Sequence, residues 1–74
     1  MKLKKIGNNE TELTTKEGVQ LFFSYETLVA ARTMKYVYVT KTKYSNTTTK
    51  HINNWLDGLD YELVTQEQLD ETFN

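Results

Sequence analysis

The segment Tyr44–Leu59, YSNTTTKHINNWLDGL, constrains the fold of this chain more than any other. Ile52, Trp55, Leu56 and Leu59 follow the spacing of one face of an α-helix, and Thr48 lies one turn earlier on that face. Ser45, Asn46 and Thr47 all offer side-chain oxygens to the unpaired N–H groups of a first turn. Gly58 offers a left-handed stop. The spacing predicts a helix over 44–59, with Trp55 as a central core residue packed on a sheet that the rest of the chain must supply.

Upstream of the helix the apolar pattern is alternation. Lys2–Ile6 reads as an edge strand whose lysines discourage edge-to-edge pairing, and Gly7-Asn8-Asn9 as a turn. Glu10–Thr15 completes a hairpin with it, and Lys16-Glu17-Gly18 turns the chain again. Val19–Phe23 is the most hydrophobic strand; Phe22 beside Phe23 calls for apolar surroundings on both faces. Ser24-Tyr25-Glu26 breaks the phase and reads as a bend or bulge, after which Leu28–Ala31 extends this strand or begins another. Met34–Thr40 alternates, with Val37 and Val39 inward and Tyr36, Tyr38 and Thr40 at least partly outward. Beyond the helix, Tyr61–Val64 is extended. Thr65-Gln66-Glu67-Gln68 fits a capping box that opens a last helix through Phe73, with Leu69 and Phe73 spaced to dock it. The expected fold is α+β and a single domain over 1–74. It is an antiparallel meander of three to five strands, with the main helix across one face and a smaller terminal helix capping an edge.

The 74 residues include no cysteine and no proline. A chain this short buries only about 60% of its unfolded surface, so association with another copy is one route to stability. Disulfides and zinc–thiolate sites are excluded. The N-terminal residues hold no apolar stretch of the kind a signal peptide needs, and no run approaches a membrane span. The expectation is a soluble, cytoplasmic protein without a membrane partner. Charge is unevenly placed. All nine Lys and Arg residues, with four acids, lie in residues 1–50, whereas residues 51–74 hold six acids and neither Lys nor Arg. Such a split points to a partner unless folding interleaves the halves.

Catalytic material is scarce, and no enzyme, metal or cofactor is expected. A Ser/His/Asp set can be written from Ser24 or Ser45, His51, and Asp57 or Asp60, but no spacing supports it. His51, the one imidazole, reads as a boundary residue hydrogen-bonded to backbone. Nucleic acid has more support. From Arg32 to Lys50 the chain carries Arg32, Lys35, Lys41, Lys43 and Lys50 with no acid. Tyr36, Tyr38 and Tyr44 are interleaved with them, as phosphate neutralisation and base stacking require. Thr48 and His51 in the first turns of the helix complete this candidate anion site. Lys50 also stands near the positive end of the helix dipole and Asp57 at its negative end, an inversion that a bound anion would offset. A third surface is the acidic stretch 51–74, suited to a basic protein or to the basic half of another copy.

Two motifs carry a family resemblance. Phe23-Ser24-Tyr25, Thr27 and Val29-Ala30 make up F-S-Y-x-T-x-V-A, and Thr47-Thr48, His51-Ile52-Asn53 and Trp55-Leu56 make up T-T-x-x-H-I-N-x-W-L. Together with Tyr44-Ser45, these resemble a family of small uncharacterised proteins encoded mainly by bacterial viruses. The resemblance implies a viral accessory protein in a bacterial host cell and brings no activity, cofactor or ligand with it. The leading expectation is a non-enzymatic protein that binds a macromolecular partner, a protein or a second copy as a homodimer. The alternative is a nucleic-acid binder using Arg32–Lys50.

Overall fold

The alternating first half folds into five consecutive antiparallel strands: β1 (Lys2–Gly7), β2 (Glu10–Thr14), β3 (Gln20–Ser24), β4 (Thr27–Arg32) and β5 (Val37–Thr40). The computed structural model, which describes residues 2–7 and 9–73, continues with α1 (Asn46–Leu56), β6 (Glu62–Val64) and α2 (Gln66–Phe73). β6 pairs with β5 in parallel, Tyr38 opposite Glu62 and Thr40 opposite Val64, and the sheet order is β1-β2-β3-β4-β5-β6. The expected antiparallel meander of three to five strands is therefore corrected to six strands with one parallel edge. The cause is the helix between them: α1 returns the chain along the sheet, so β6 enters in the direction of β5.

The expectation that the smaller helix caps an edge is also corrected, because each helix covers its own face. Phe22, Val29, Ala30 and Val39 bury against Ile52 and Leu56 of α1. Leu21, Leu28 and Ala31 bury against Leu69 of α2, with Phe23, Tyr38, Val64 and Phe73 packed around them. Neighbours along a strand point to opposite faces, so the Leu21-Phe22-Phe23 run demands cover on both. One exception to the alternation is informative. Phe22 pairs with Ala30 and Phe23 with Leu28, which leaves Val29 unopposed in a β-bulge. Val29 and Ala30 thereby both face α1.

Several local expectations shift for identifiable reasons. The break at Ser24-Tyr25-Glu26 is a two-residue turn across which Ser24 pairs with Thr27, so of the two readings of Leu28–Ala31 the new strand holds. Tyr25 holds a left-handed φ of 59° there. β5 starts at Val37 rather than Met34. The Thr33 hydroxyl accepts the N–H groups of Lys35 and Tyr36 at 3.2 and 3.0 Å, and the Thr33 N–H reaches Tyr36 O at 2.8 Å, so 33–36 is a closed turn. Of the expected turn Gly7-Asn8-Asn9, Asn8 lies outside the described residues and Asn9 has a φ of 61°. The helix predicted over 44–59 spans Asn46–Leu56, with Ser45 as its cap and Asp57 and Gly58 both left-handed after it. Leu59 consequently leaves the stripe and is exposed.

Trp55 is not the central core residue. Phe22, fully buried, holds that place, and half-buried Trp55 lies flat on it with ring centroids 5.1 Å apart and planes 12° from parallel. The indole N–H donates to Glu12 Oε1 at 2.9 Å. A residue with a polar edge settles where one side stays wet.

Candidate binding surfaces and a buried polar cluster

Where the α1 stripe and the α1-facing side of β3 meet, each contributes a polar residue, Thr48 and Ser24, and the two pair. Ser24 Oγ lies 3.1 Å from Thr48 Oγ1 and 2.9 Å from His51 Nδ1. Ser45 Oγ accepts the Thr48 N–H at 3.1 Å, closing the helix cap, and donates to Thr48 Oγ1 at 3.2 Å. Each hydroxyl has one hydrogen to give. Ser24 joins Thr48 and His51 in one chain of hydrogen bonds, and the other imidazole nitrogen, Nε2, faces Glu10 Oε2 across 3.9 Å. The expected backbone partner of His51 is thus replaced by the Ser24 side chain, with the Tyr25 ring 6.2 Å away.

This cluster contains the chemical parts of a Ser–His–carboxylate set, drawn from Ser24, His51 and Glu10 rather than from Asp57 or Asp60. Its geometry serves a different end. Ser24 is 2% exposed, and its oxygen is held between Thr48 and His51. The carboxylate stands beyond hydrogen-bond length from Nε2. Among the described residues no buried side-chain nitrogen or oxygen lacks a partner, and no group of three or more His, Cys, Asp or Glu gathers as a metal site. The cluster ties α1 to the β3–β4 hairpin. The sequence sets Ser24 beside His51 only in a triad that no spacing supports and does not point to Glu10, yet the Ser24–Thr48 pairing has a signal. Ser24 and Thr48 each occupy an apolar-face position, and buried polar groups must find each other.

The segment Arg32–Lys50 is spread over the molecule. Arg32 ends β4, and Lys35 and Tyr36 project from the β4–β5 turn, all exposed. Tyr38 faces α2 and is half-buried against Phe73, ring centroids 6.0 Å apart. Lys41, Lys43 and Tyr44 lie past the opposite end of β5, and the Tyr44 hydroxyl donates to Gln66 Oε1 at 2.9 Å. Lys50 is exposed on α1, while Thr48 and His51 turn inward to the cluster. The structure therefore divides the ten residues into a turn group (Arg32, Lys35, Tyr36, Tyr38), a loop group (Lys41, Lys43, Tyr44), the outward Lys50 and an interior pair. Of the expected inverted helix charges, Asp57 caps the negative end of α1, whereas Lys50 is the fifth helical residue and lies past the first turn, where the dipole acts weakly.

A cleft of about 420 Å³ opens on the α2 face. Tyr38 and Val64 form its floor, Thr33 and Tyr36 of the β4–β5 turn one wall, and Gln68, Leu69, Thr72 and Phe73 of α2 the other. The Tyr36 and Tyr38 rings stand 5.9 Å apart. The α2 residues on this wall carry no charge; Glu67 and Glu71 lie on the exposed side of the same helix. The volume falls in the range of ligand and peptide-anchor pockets.

Fold and surfaces together define a small α+β domain, a mixed six-stranded sheet with one helix on each face. Within that class the chain belongs to a family of unknown function, DUF8033, whose model matches residues 1–71. No curated protein and no solved structure matches it. Among the described residues no helix is long and apolar enough to cross a membrane.

Proposed function

We propose that this chain works by binding a macromolecular partner, without chemistry of its own, and that the cleft between α2 and the β4–β5 turn is its contact surface. In this reading it is a viral accessory protein of a bacterial host's cytoplasm, as the resemblance implies. The observation that carries the reading is the cleft itself, three aromatic rings deep and uncovered, with Met34 93% exposed on the adjoining turn. Solvating such a patch is unfavourable, and exposed apolar surface of this kind marks contact sites. The Ser24–His51–Glu10 set is the competing site, and it supports structure rather than turnover because its nucleophile is enclosed. Oxidative footprinting tests the proposal. Met34 and Tyr36 should oxidise readily in the dilute purified chain and be protected in extract of the cells that express it. Equal oxidation in both would remove the cleft as a contact surface.

One observation favours a second reading, nucleic acid. Lys41 and Lys43 line a separate groove on the α1 face with Thr49, Asn53 and Tyr61. Mobility shift with single- and double-stranded oligonucleotides decides it. Binding should weaken with salt, and each lysine removed should flatten the salt slope by about one unit. No shift at low salt ends this reading.

A further inference from the structure

We propose that the occupant of the cleft is the β4–β5 turn of a second copy of this chain, Met34 of each protomer entering the cleft of its partner. This rests on the reading of the cleft as the contact surface and names what fills it. Four features of the patch converge. First, the knob and the hole are neighbours. Among the described residues Met34 is the most exposed of the large apolar side chains, and it stands on the turn whose Thr33 and Tyr36 wall the cleft. A contact related by a two-fold axis needs such a self-complementary patch.

Second, the chemistry matches. A thioether on a flexible stem fits irregular gaps and packs favourably against aromatic rings, here Tyr36, Tyr38 and Phe73. Third, the charges discriminate between occupants. Glu62 is paired with Tyr38 in the sheet and therefore on the same face as the cleft. A nucleic-acid backbone entering here would bring phosphates against that carboxylate. The turn of a second copy brings Arg32 and Lys35 to it instead. Fourth, the turn is already ordered by the Thr33 hydrogen bonds, which lowers the entropy lost on docking.

Sedimentation equilibrium of the purified full chain at low salt provides the test. A reversible monomer–dimer equilibrium should populate as concentration rises through about 10 µM to 1 mM, with Met34 protected from oxidation in step. Met34→Asp should abolish the dimer and leave the thermal midpoint of the dilute, monomeric chain unchanged, because the side chain touches little in the monomer. Lys35→Glu should raise the dissociation constant at least about tenfold. A wild-type chain that stays monomeric at about 1 mM, or a dimer indifferent to Met34→Asp, overturns the proposal. The two readings fail separately. A monomeric chain whose Met34 is protected in cell extract loses the second copy as occupant and keeps the cleft as a contact surface, whereas absence of protection everywhere removes both.

Discussion

The two helices solve the same problem, covering a sheet that is apolar on both sides, and leave opposite surfaces behind. α1 is fastened by polar contacts that reach into the strands: Thr48 and His51 to Ser24, and Trp55 to Glu12. α2 is held mainly by apolar contact, buried Leu69 and half-buried Phe73 against Tyr38, with Gln66 donating to the Leu28 carbonyl at 2.8 Å. An eight-residue helix extends only about 12 Å, while six strands span about 24 Å across. On the α1 side Trp55 and the hydroxyl cluster fill the shortfall. On the α2 side Phe73 and its neighbours fill part of it, and the cleft is the remainder. The lesson is that the open apolar cleft of this domain lies where its shorter helix runs out of length, not where its polar residues are densest.

The largest expected effects break the comparison at its centres. Phe22→Ala empties the middle of the α1 side and removes the platform for Trp55, and should cost about 3–5 kcal/mol, most of what a small domain has. Leu69→Ala on the other side should cost about 2–3 kcal/mol, the lower part of the range for such truncations, because α2 can settle toward the open cleft. Urea denaturation of the two variants measures both. If Leu69→Ala proves the more damaging, α2 and not α1 is the principal cover of the sheet. Trp55→Ala should fall between them, at about 2–4 kcal/mol, losing the stack on Phe22 and leaving Glu12 without its donor.

The polar cluster gives an intermediate test. His51→Ala leaves the Ser24 hydroxyl without its imidazole partner, and Ser24→Ala leaves Nδ1 and the Thr48 hydroxyl without their shared partner. Each should cost about 1–3 kcal/mol. Since both break one chain of hydrogen bonds, the double variant should cost clearly less than the two added together. Strict additivity would mean that the groups act independently and that α1 is not fastened through them.

The elements of the fold were largely legible, because periodicity reports directly on which side of a strand or helix is buried. The capping box at Thr65 is present in full: the Thr65 hydroxyl accepts the Gln68 N–H, and the Gln68 side chain accepts the Thr65 N–H, both at 3.0 Å. What alternation cannot report is direction. The three residues of β6 read as extended, but only the return path of α1 makes them parallel to β5. Nor does a helical stripe rank its members. Trp55 has the largest apolar surface, yet its N–H needs a partner, and that draws it to the margin beside Glu12. The basic segment was visible as composition, but β5 in its middle carries its two ends apart. The cleft was illegible, being made of three stretches joined only by folding.

The smallest effects concern the ends of the helices, where the contrast between the two faces returns in another form. α2 begins with a reciprocal cap, and Thr65→Ala should cost about 1 kcal/mol. α1 ends with Asp57 in a left-handed conformation, φ 48°, its carboxylate at the negative end of the helix dipole with no basic residue in the last turn. Asparagine tolerates that backbone equally well and keeps the N–H that reaches the Asn53 carbonyl. Asp57→Asn therefore removes the charge and nothing else. It should stabilise the chain by about 0.3–1 kcal/mol, toward the lower figure because the site is exposed. The gain should fade as salt rises toward about 1 M, where screening acts within roughly 3 Å. A loss of stability on Asp57→Asn would show that the carboxylate makes a favourable contact that outweighs the dipole. α1 would then be fastened at its end as well as along its face, and the polar cluster would account for less of its hold on the sheet.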